Sequence, residues 1–497
     1  MKRLLLPLLF AALTFSTASA ATNRPNFIIL ISDDVSHDDL GCYGSLSART
    51  PAIDSLAASG LRFNQAYLLA SSCSPSRSSI ISGRYPHNLG QAAELHRPIS
   101  GHLPSIAGLL RDAGYHTALA GKNHLSWTPV PEGTTKPTPA FVKIYDAKVD
   151  GNSGGHGNWI KALEECPSGS PFFLWLAALD AHRSWDGDEE WDAARFGPKH
   201  DPATVILPPA LADTPATRAD FASYLNEITR FDHFVGRVVE WLKQKGQFEN
   251  TYVFVLADNG RSFPRAKTRL HDDGMKTHLI VNGPGMTAKG RASDSLVSVI
   301  DIAPTVAEFA GIKKSATFQG RSLAGVLKDP AATVRPLAFS EHNWHDYEAH
   351  GRAVRDGRFL FIRNFRPKLA WQGPADSVRS PSHQALRKAR AESQTLPPIQ
   401  QDVFLAPRPE AELYDTRADP HQISNLAGKP EFAAIEKRLS AALERWMDQT
   451  GDSVPDQISP DMFNRETGAP LPGRRADTYL APAGASRGAD RINADGL

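Results

Sequence analysis

The sequence predicts an α/β fold, a doubly wound sheet followed by a smaller C-terminal α+β subdomain, and three observations carry that prediction. Short apolar runs that suit buried parallel strands recur at Phe27–Ile31, Thr117–Ala120, Phe172–Leu179, Tyr252–Leu256 and Leu279–Val281. Helical stretches separate them, and strands alternating with helices imply a doubly wound sheet with ligands at the carboxyl ends of the strands. Beyond about residue 345 the alternation stops: Phe359–Ile362 and Leu413–Tyr414 read as strands and Phe432–Met447 as a helix.

The helices carry their own punctuation. Thr50-Pro51 opens one that stops at Gly60, and Leu103 to Ala113 forms another that ends at Gly114. From Ala219 to Lys245 the apolar residues Phe221, Leu225, Ile228, Phe231, Phe234, Val238 and Trp241 follow helical spacing, and Gly246 closes the run.

Residues 1–20 read as a secretory signal. Lys2 and Arg3 precede the apolar run Leu4 to Leu13, and Ala18-Ser19-Ala20 forms a small-residue cleavage site. The expected organisation is then a signal at 1–20, a catalytic α/β domain at 21–345, a subdomain at 346–454, and a tail from 455 to 497. The tail is rich in Pro, Gly, Ala and Arg, and is expected to be a surface arm or disordered. No later stretch has about 20 uninterrupted apolar residues, so no membrane span is expected, and the signal makes a periplasmic or secreted location the expectation. A net charge of +1 in 497 residues gives no reason to expect nucleic acid as a partner.

Chemistry-bearing residues fall after the strands. Asp33-Asp34 follows the first and Asp258-Asn259-Gly260 the fourth, a hard-oxygen donor set suited to Ca2+, with Mg2+ as the alternative. Gly121-Lys122-Asn123-His124 follows the second, and Asp180-Ala181-His182-Arg183 the third. A histidine there is a natural proton donor at neutral pH. Cys73-Ser74-Pro75-Ser76-Arg77 puts a thiol at the start of a proline-opened helix, whose free N–H groups favour an anion.

The run from Cys73 to Arg77, continuing through Ile80-Ile81-Ser82-Gly83-Arg84, resembles the signature of the formylglycine-dependent sulfatases. Further matches are Asp39-Leu40-Gly41-Cys42-Tyr43-Gly44, Arg352 to Gly357, Leu413-Tyr414-Asp415, Asp419-Pro420 and Asn425-Leu426. The resemblance implies an alkaline-phosphatase-like sulfatase fold with a large doubly wound mixed sheet. It implies that a maturation enzyme oxidises Cys73 to formylglycine, whose hydrated aldehyde attacks sulfur. Asp33, Asp34, Asp258 and Asn259 would hold the metal together with the modified Cys73. Lys122, Lys267 and Arg77 would bind sulfate, His124 would orient the nucleophile, and His182 would protonate the leaving group. Ala181 departs from the family pattern, which has proline before this histidine.

Within the family these motifs look most like those of the N-sulfoglucosamine sulfohydrolases, or sulfamidases, which implies a sulfated saccharide as substrate. Asp180 and Arg183 would then face the sugar, with Glu341, His342 and His345 from the polar, aromatic stretch Glu341–Tyr347 beside them. An O-sulfatase on another sulfated polysaccharide is the runner-up. A phosphonate monoester or phosphodiester hydrolase of the same fold, and a glycan-binding protein with an unconverted cysteine, are further alternatives. If Cys73 is converted, Cys42 and Cys166 either pair or stay as free thiols. A homodimer is an ordinary expectation.

Overall fold

Asn26–Ser32, with all seven residues buried, lies in the middle of an eight-stranded sheet. The computed structural model describes residues 24–129, 140–147, 154–185, 191–392, 395–456, 459–473 and 488–496, so the expected signal lies outside the described residues. Across the sheet the strands run Arg291–Ser293, Leu61–Phe63, Leu279–Asn282, Thr251–Ala257, Asn26–Ser32, Phe172–Ala177, His116–Gly121 and Lys143–Tyr145. Side chains alternate between faces, so Phe27, Ile29 and Ile31 enter one apolar layer while Ile28 and Leu30 enter the other. The helix Pro215–Gln244 covers the second face, and Ile302–Phe309 packs into the first.

The five strands from Thr251–Ala257 to Lys143–Tyr145 are parallel. Leu279–Asn282, expected to be parallel, instead runs antiparallel to Thr251–Ala257 and makes the sheet mixed. A parallel neighbour needs a crossover back to the opposite edge, usually through a helix. The connection from Asp258 to His278 offers only the four-residue helix Asp272–Met275. The other differences are at element ends. The strand from Phe172 stops at Ala177, where Ala178 N–H turns to the Ile31 carbonyl at 2.9 Å. The expected helix from Leu103 begins at Ile106, because the Ser105 side chain caps it by accepting from Gly108 N–H at 3.0 Å.

A second, antiparallel sheet contains Ala338–His345, Tyr347–Arg355, Phe359–Asn364 and Ala411–Asp415, backed by the helix Ala433–Thr450. Its first strand precedes residue 346, because the register pairs Ala338 with Arg355 and places His345 opposite Tyr347 in one hairpin. The described parts of the tail are packed. Ala489 is fully buried, and Arg84 donates to the carbonyls of Asp490 and Ile492 and to Asn493. Side-chain donors to backbone carbonyls hold this arm, which explains its lack of apolar periodicity. Cys42 and Cys166 are free, the Cys166 thiol donating to the Ala162 carbonyl at 3.2 Å.

Candidate active site

Two parallel strands in register, with Ser32 opposite Ala257, deliver Asp33-Asp34 and Asp258-Asn259 side by side at one sheet edge. All four are completely buried. Asp34 has a left-handed backbone (φ 56°), uncommon outside glycine. Its N–H donates to Asp258 at 3.3 Å, while Asn259 Nδ2 donates to Asp34 Oδ1 at 2.6 Å. Cys73 begins the helix Cys73–Ser82, in which all ten residues are buried although five are serines. Its Sγ lies 3.9 Å from Oδ1 of both Asp33 and Asp34.

Cations surround this cluster. Arg77 Nε donates to Asp258 at 2.8 Å, Lys267 Nζ to Asp34 at 2.6 Å, and Lys122 Nζ to Asp33. Gly121 makes the placement of Lys122 possible: its φ is 102°, and a Cβ there would lie 1.9 Å from the Ala177 carbonyl oxygen. Burial pushes Asp258 up to about 6, with Arg77 opposing the rise. Burial would raise Asp33 too, but Lys122, His182 and Arg77 hold it well below the usual carboxylate range. The Cys73 thiol is pushed up to about 12 by burial, so the unmodified side chain is a protonated thiol at neutral pH. Burial, reinforced by Lys122 and Arg77, pushes His124 down to about 2 and keeps its imidazole neutral.

The donor set fits a divalent cation. Asp34 Oδ2 and Asn259 Oδ1 are buried acceptors without a hydrogen-bond partner, facing a cluster already rich in carboxylate. Ligand atoms of Asp33, Asp34 and Cys73 lie within 4.8 Å of one another. Hard oxygen donors of this kind suit Ca2+ or Mg2+. Both terminal nitrogens of Arg77 also lack hydrogen-bond partners and are fully buried, leaving donors for an anion beside Cys73.

His182 is half-buried, with Nδ1 against the Arg183 carbonyl, which leaves Nε2 without a hydrogen bond among the described residues. In the structure, most of the residues expected at the sugar find partners within the protein. Asp180 is buried, bonded to His156 Nδ1 at 2.9 Å and to Arg230, which leaves no carboxylate for a sugar. Arg183 makes a two-pronged ion pair with Asp220, at 2.7 and 2.9 Å, and lies 4.0 Å over the Trp185 ring. Glu341 is fully buried, accepting from His87 and Asn343. His342 packs edge-on to Trp371 and is buried. In a strand whose eight residues are all buried, polar side chains hold the small sheet together rather than facing solvent.

His345 does reach the site, its Nδ1 lying 2.7 Å from the hydroxyl of Ser72, the residue before Cys73. Two residues at the mouth have no sequence signal. Exposed His96 lies edge-on to His124 at 5.0 Å, and Asp376 is grouped with Asp34 and His182. Neither sits in a recognisable motif, and Asp376 arrives from the region of the small sheet.

Residues 25–312 match the Sulfatase family profile, and residues 265–373 match the profile of the N-sulphoglucosamine sulphohydrolase C-terminal region. Human N-sulphoglucosamine sulphohydrolase is 28% identical over 463 residues, covering 86% of this chain and 91% of its own. An ulvan-active sulfatase of Formosa agariphila is 27% identical over 481 residues, covering 87% and 76% respectively. The solved phosphonate monoester hydrolase of Silicibacter pomeroyi shares the fold at a TM-score of 0.64 and 20% identity, covering 87% of this chain and 98% of its own. A structure bound to D-glucosamine-2-N,6-O-disulfate does so at 0.63 and 19%, covering 86% and 98%. With the family profile matched over more than half its length, and the alkaline-phosphatase-like architecture beneath it, the chain belongs to the sulfatase family and is a hydrolase of sulfate esters or sulfamates.

Proposed function

We propose that the protein removes the N-sulfate of a glucosamine-type saccharide, after a maturation enzyme has converted Cys73 to formylglycine. The observation that carries the nucleophile assignment is Cys73 Sγ at 3.9 Å from both Asp33 and Asp34, inside a buried ring of cations. The 28% identity to human N-sulphoglucosamine sulphohydrolase and the C-terminal profile at 265–373 support the choice of substrate. Hydrated formylglycine would supply a diol nucleophile there, and a Ca2+ or Mg2+ held by Asp33, Asp34, Asp258 and Asn259 would supply Lewis acidity.

The remaining chemistry belongs to side chains already in place. Arg77, Lys122 and Lys267 stabilise negative charge on the sulfuryl oxygens, each donor worth several kcal/mol when preorganised in a dry site. His182 gives a proton from Nε2 to the departing nitrogen. His124, whose imidazole stays neutral in these surroundings, would orient the nucleophile, and the proton lost as sulfate is released leaves through water. Arg183, fixed by Asp220 and Trp185, anchors the loop that carries His182. The location we propose is periplasmic or secreted.

The test is sulfate release by protein co-produced with a maturation enzyme, offered glucosamine N-sulfate and glucosamine 6-O-sulfate, with mass analysis of the peptide containing position 73. Release from the N-sulfate by aldehyde-bearing protein is the expected result. Full activity with an intact thiol would overturn the nucleophile. Release from O-sulfates alone would favour the second reading, an O-sulfatase on another polysaccharide, which the similarity to an ulvan-active sulfatase supports.

A further inference from the structure

One acidic group at the mouth of the site is used neither by the donor set nor by the sulfate-binding cations. Asp376 lies on the short helix Ala375–Val378, between the third and fourth strands of the small sheet. One of its oxygens, a ring nitrogen of His182 and an oxygen of Asp34 lie within 4.8 Å of one another. Asp34 is sealed off, whereas Asp376 and His182 are both half-exposed, so Asp376 stands on the open side where the leaving group departs.

Its position is fixed through the backbone of the site. Ser72, next to Cys73, bonds His345 at 2.7 Å. The following residue, Asp346, sits at the hairpin turn with φ 64° and accepts from Ala375 N–H at 3.0 Å. Asp376 comes next. Ser377 N–H donates to one carboxylate oxygen at 2.7 Å, and no side-chain hydrogen bond to Asp376 exists among the described residues. The groups whose charge acts on it are Lys267, His182 and Arg183, and an aspartate side chain is ordinarily a carboxylate at neutral pH.

A carboxylate beside the leaving group discriminates between the two bonds a sulfatase can cut. When an S–N bond breaks, the electron pair stays on nitrogen, which takes a proton from His182 and a second from solvent to become an ammonium ion. When an S–O bond breaks, the oxygen takes one proton and leaves as a neutral hydroxyl. Charge attraction favours the first product alone. We infer that Asp376 is the amine-binding carboxylate of this site, receiving the 2-amino group of an amino sugar as the N–S bond is cleaved. The inference rests on the N-desulfation reading above, but its binding part can be tested separately.

The experiment uses the full-length matured enzyme and its D376N and D376E variants. Hydrolysis of glucosamine N-sulfate is compared with that of 4-nitrophenyl sulfate, and glucosamine and N-acetylglucosamine are titrated as inhibitors of the second reaction. The expected result is that D376N lowers kcat/KM for the N-sulfate about tenfold more than for the aryl sulfate, the scale of one lost charge-assisted contact. Glucosamine should inhibit D376N about tenfold more weakly, N-acetylglucosamine should inhibit both equally, and D376E should recover part of the loss. Equal losses on both substrates with unchanged glucosamine inhibition would overturn the inference. If the wild type cleaves no N-sulfate yet glucosamine inhibition still depends on Asp376, N-desulfation falls and amine binding stands.

Discussion

The edge of the large sheet and the small antiparallel sheet beside it both bury charge, but they treat it differently. At the edge, Asp33, Asp34 and Asp258 are crowded together, and Asp34 Oδ2, Asn259 Oδ1 and two Arg77 nitrogens have no hydrogen-bond partner. In the small sheet the charged groups are paired, Arg352 two-pronged with Asp452 and Glu341 held by His87 and Asn343. The buried atoms left without a hydrogen bond there include those of amides and imidazole, Asn343 Oδ1, Asn364 Oδ1 and the His350 ring. Unpaired donors and acceptors in a dry pocket cost stability and are kept for a ligand. Paired ones fix the wall that shapes the pocket. Function should therefore be lost first at the edge, and stability first in the small sheet.

The largest separation is expected from Cys73→Ala. Removing the proposed nucleophile should lower kcat by at least about 10^4-fold, since losing a covalent catalytic group commonly costs that much. Stability should stay within about 1–2 kcal/mol of wild type, because one small side chain leaves a crowded polar cluster. Parallel kcat and denaturant-midpoint measurements check both. A variant that unfolds, or keeps a tenth of its activity, would erase the distinction between the regions.

Arg352→Ala should do the reverse. It leaves Asp452 and Glu341 buried with an uncompensated charge, which costs about 3–5 kcal/mol. Chemical denaturation reads this directly, and the surviving folded fraction should turn over at close to the wild-type rate. A shift below about 1 kcal/mol would mean that the small sheet does not depend on this pair.

The two regions also differ in how far they can be read from sequence. Parallel strands must end at one edge, so Asp33, Lys122, His182 and Asp258, each placed just after an apolar run, could be brought together without coordinates. The antiparallel turn of Leu279–Asn282 was hidden because its apolar residues look the same in either direction. Glu341 and His342 read as part of a polar, aromatic stretch beside the sugar, whereas they belong to a buried strand whose polar groups mostly bond neighbouring segments. Periodicity reports which side chains are apolar, not which polar ones find partners. Asp376 reaches the cleft through His345, Asp346 and Ala375, a path set by hairpin packing that no local motif encodes.

The smallest expected effect lies at the seam. Glu94 is buried, accepts from Ser459 of the C-terminal arm, and belongs to a segment that meets the small sheet at Trp344. Burial pushes its pKa up to about 7, partly offset by the Ser459 hydroxyl. A raised carboxyl pKa means that the folded state holds a proton the unfolded chain has released. The contribution to stability is therefore complete below about pH 4.5 and falls away as pH rises through 7, by about 3 kcal/mol at most. Denaturant midpoints at pH 5 and pH 8 measure this loss, and Glu94→Gln, which keeps the shape and an acceptor for Ser459, should remove that part of the pH dependence. Equal slopes in both proteins would show that Glu94 is hydrated, and that the seam opens to water where the structure closes it.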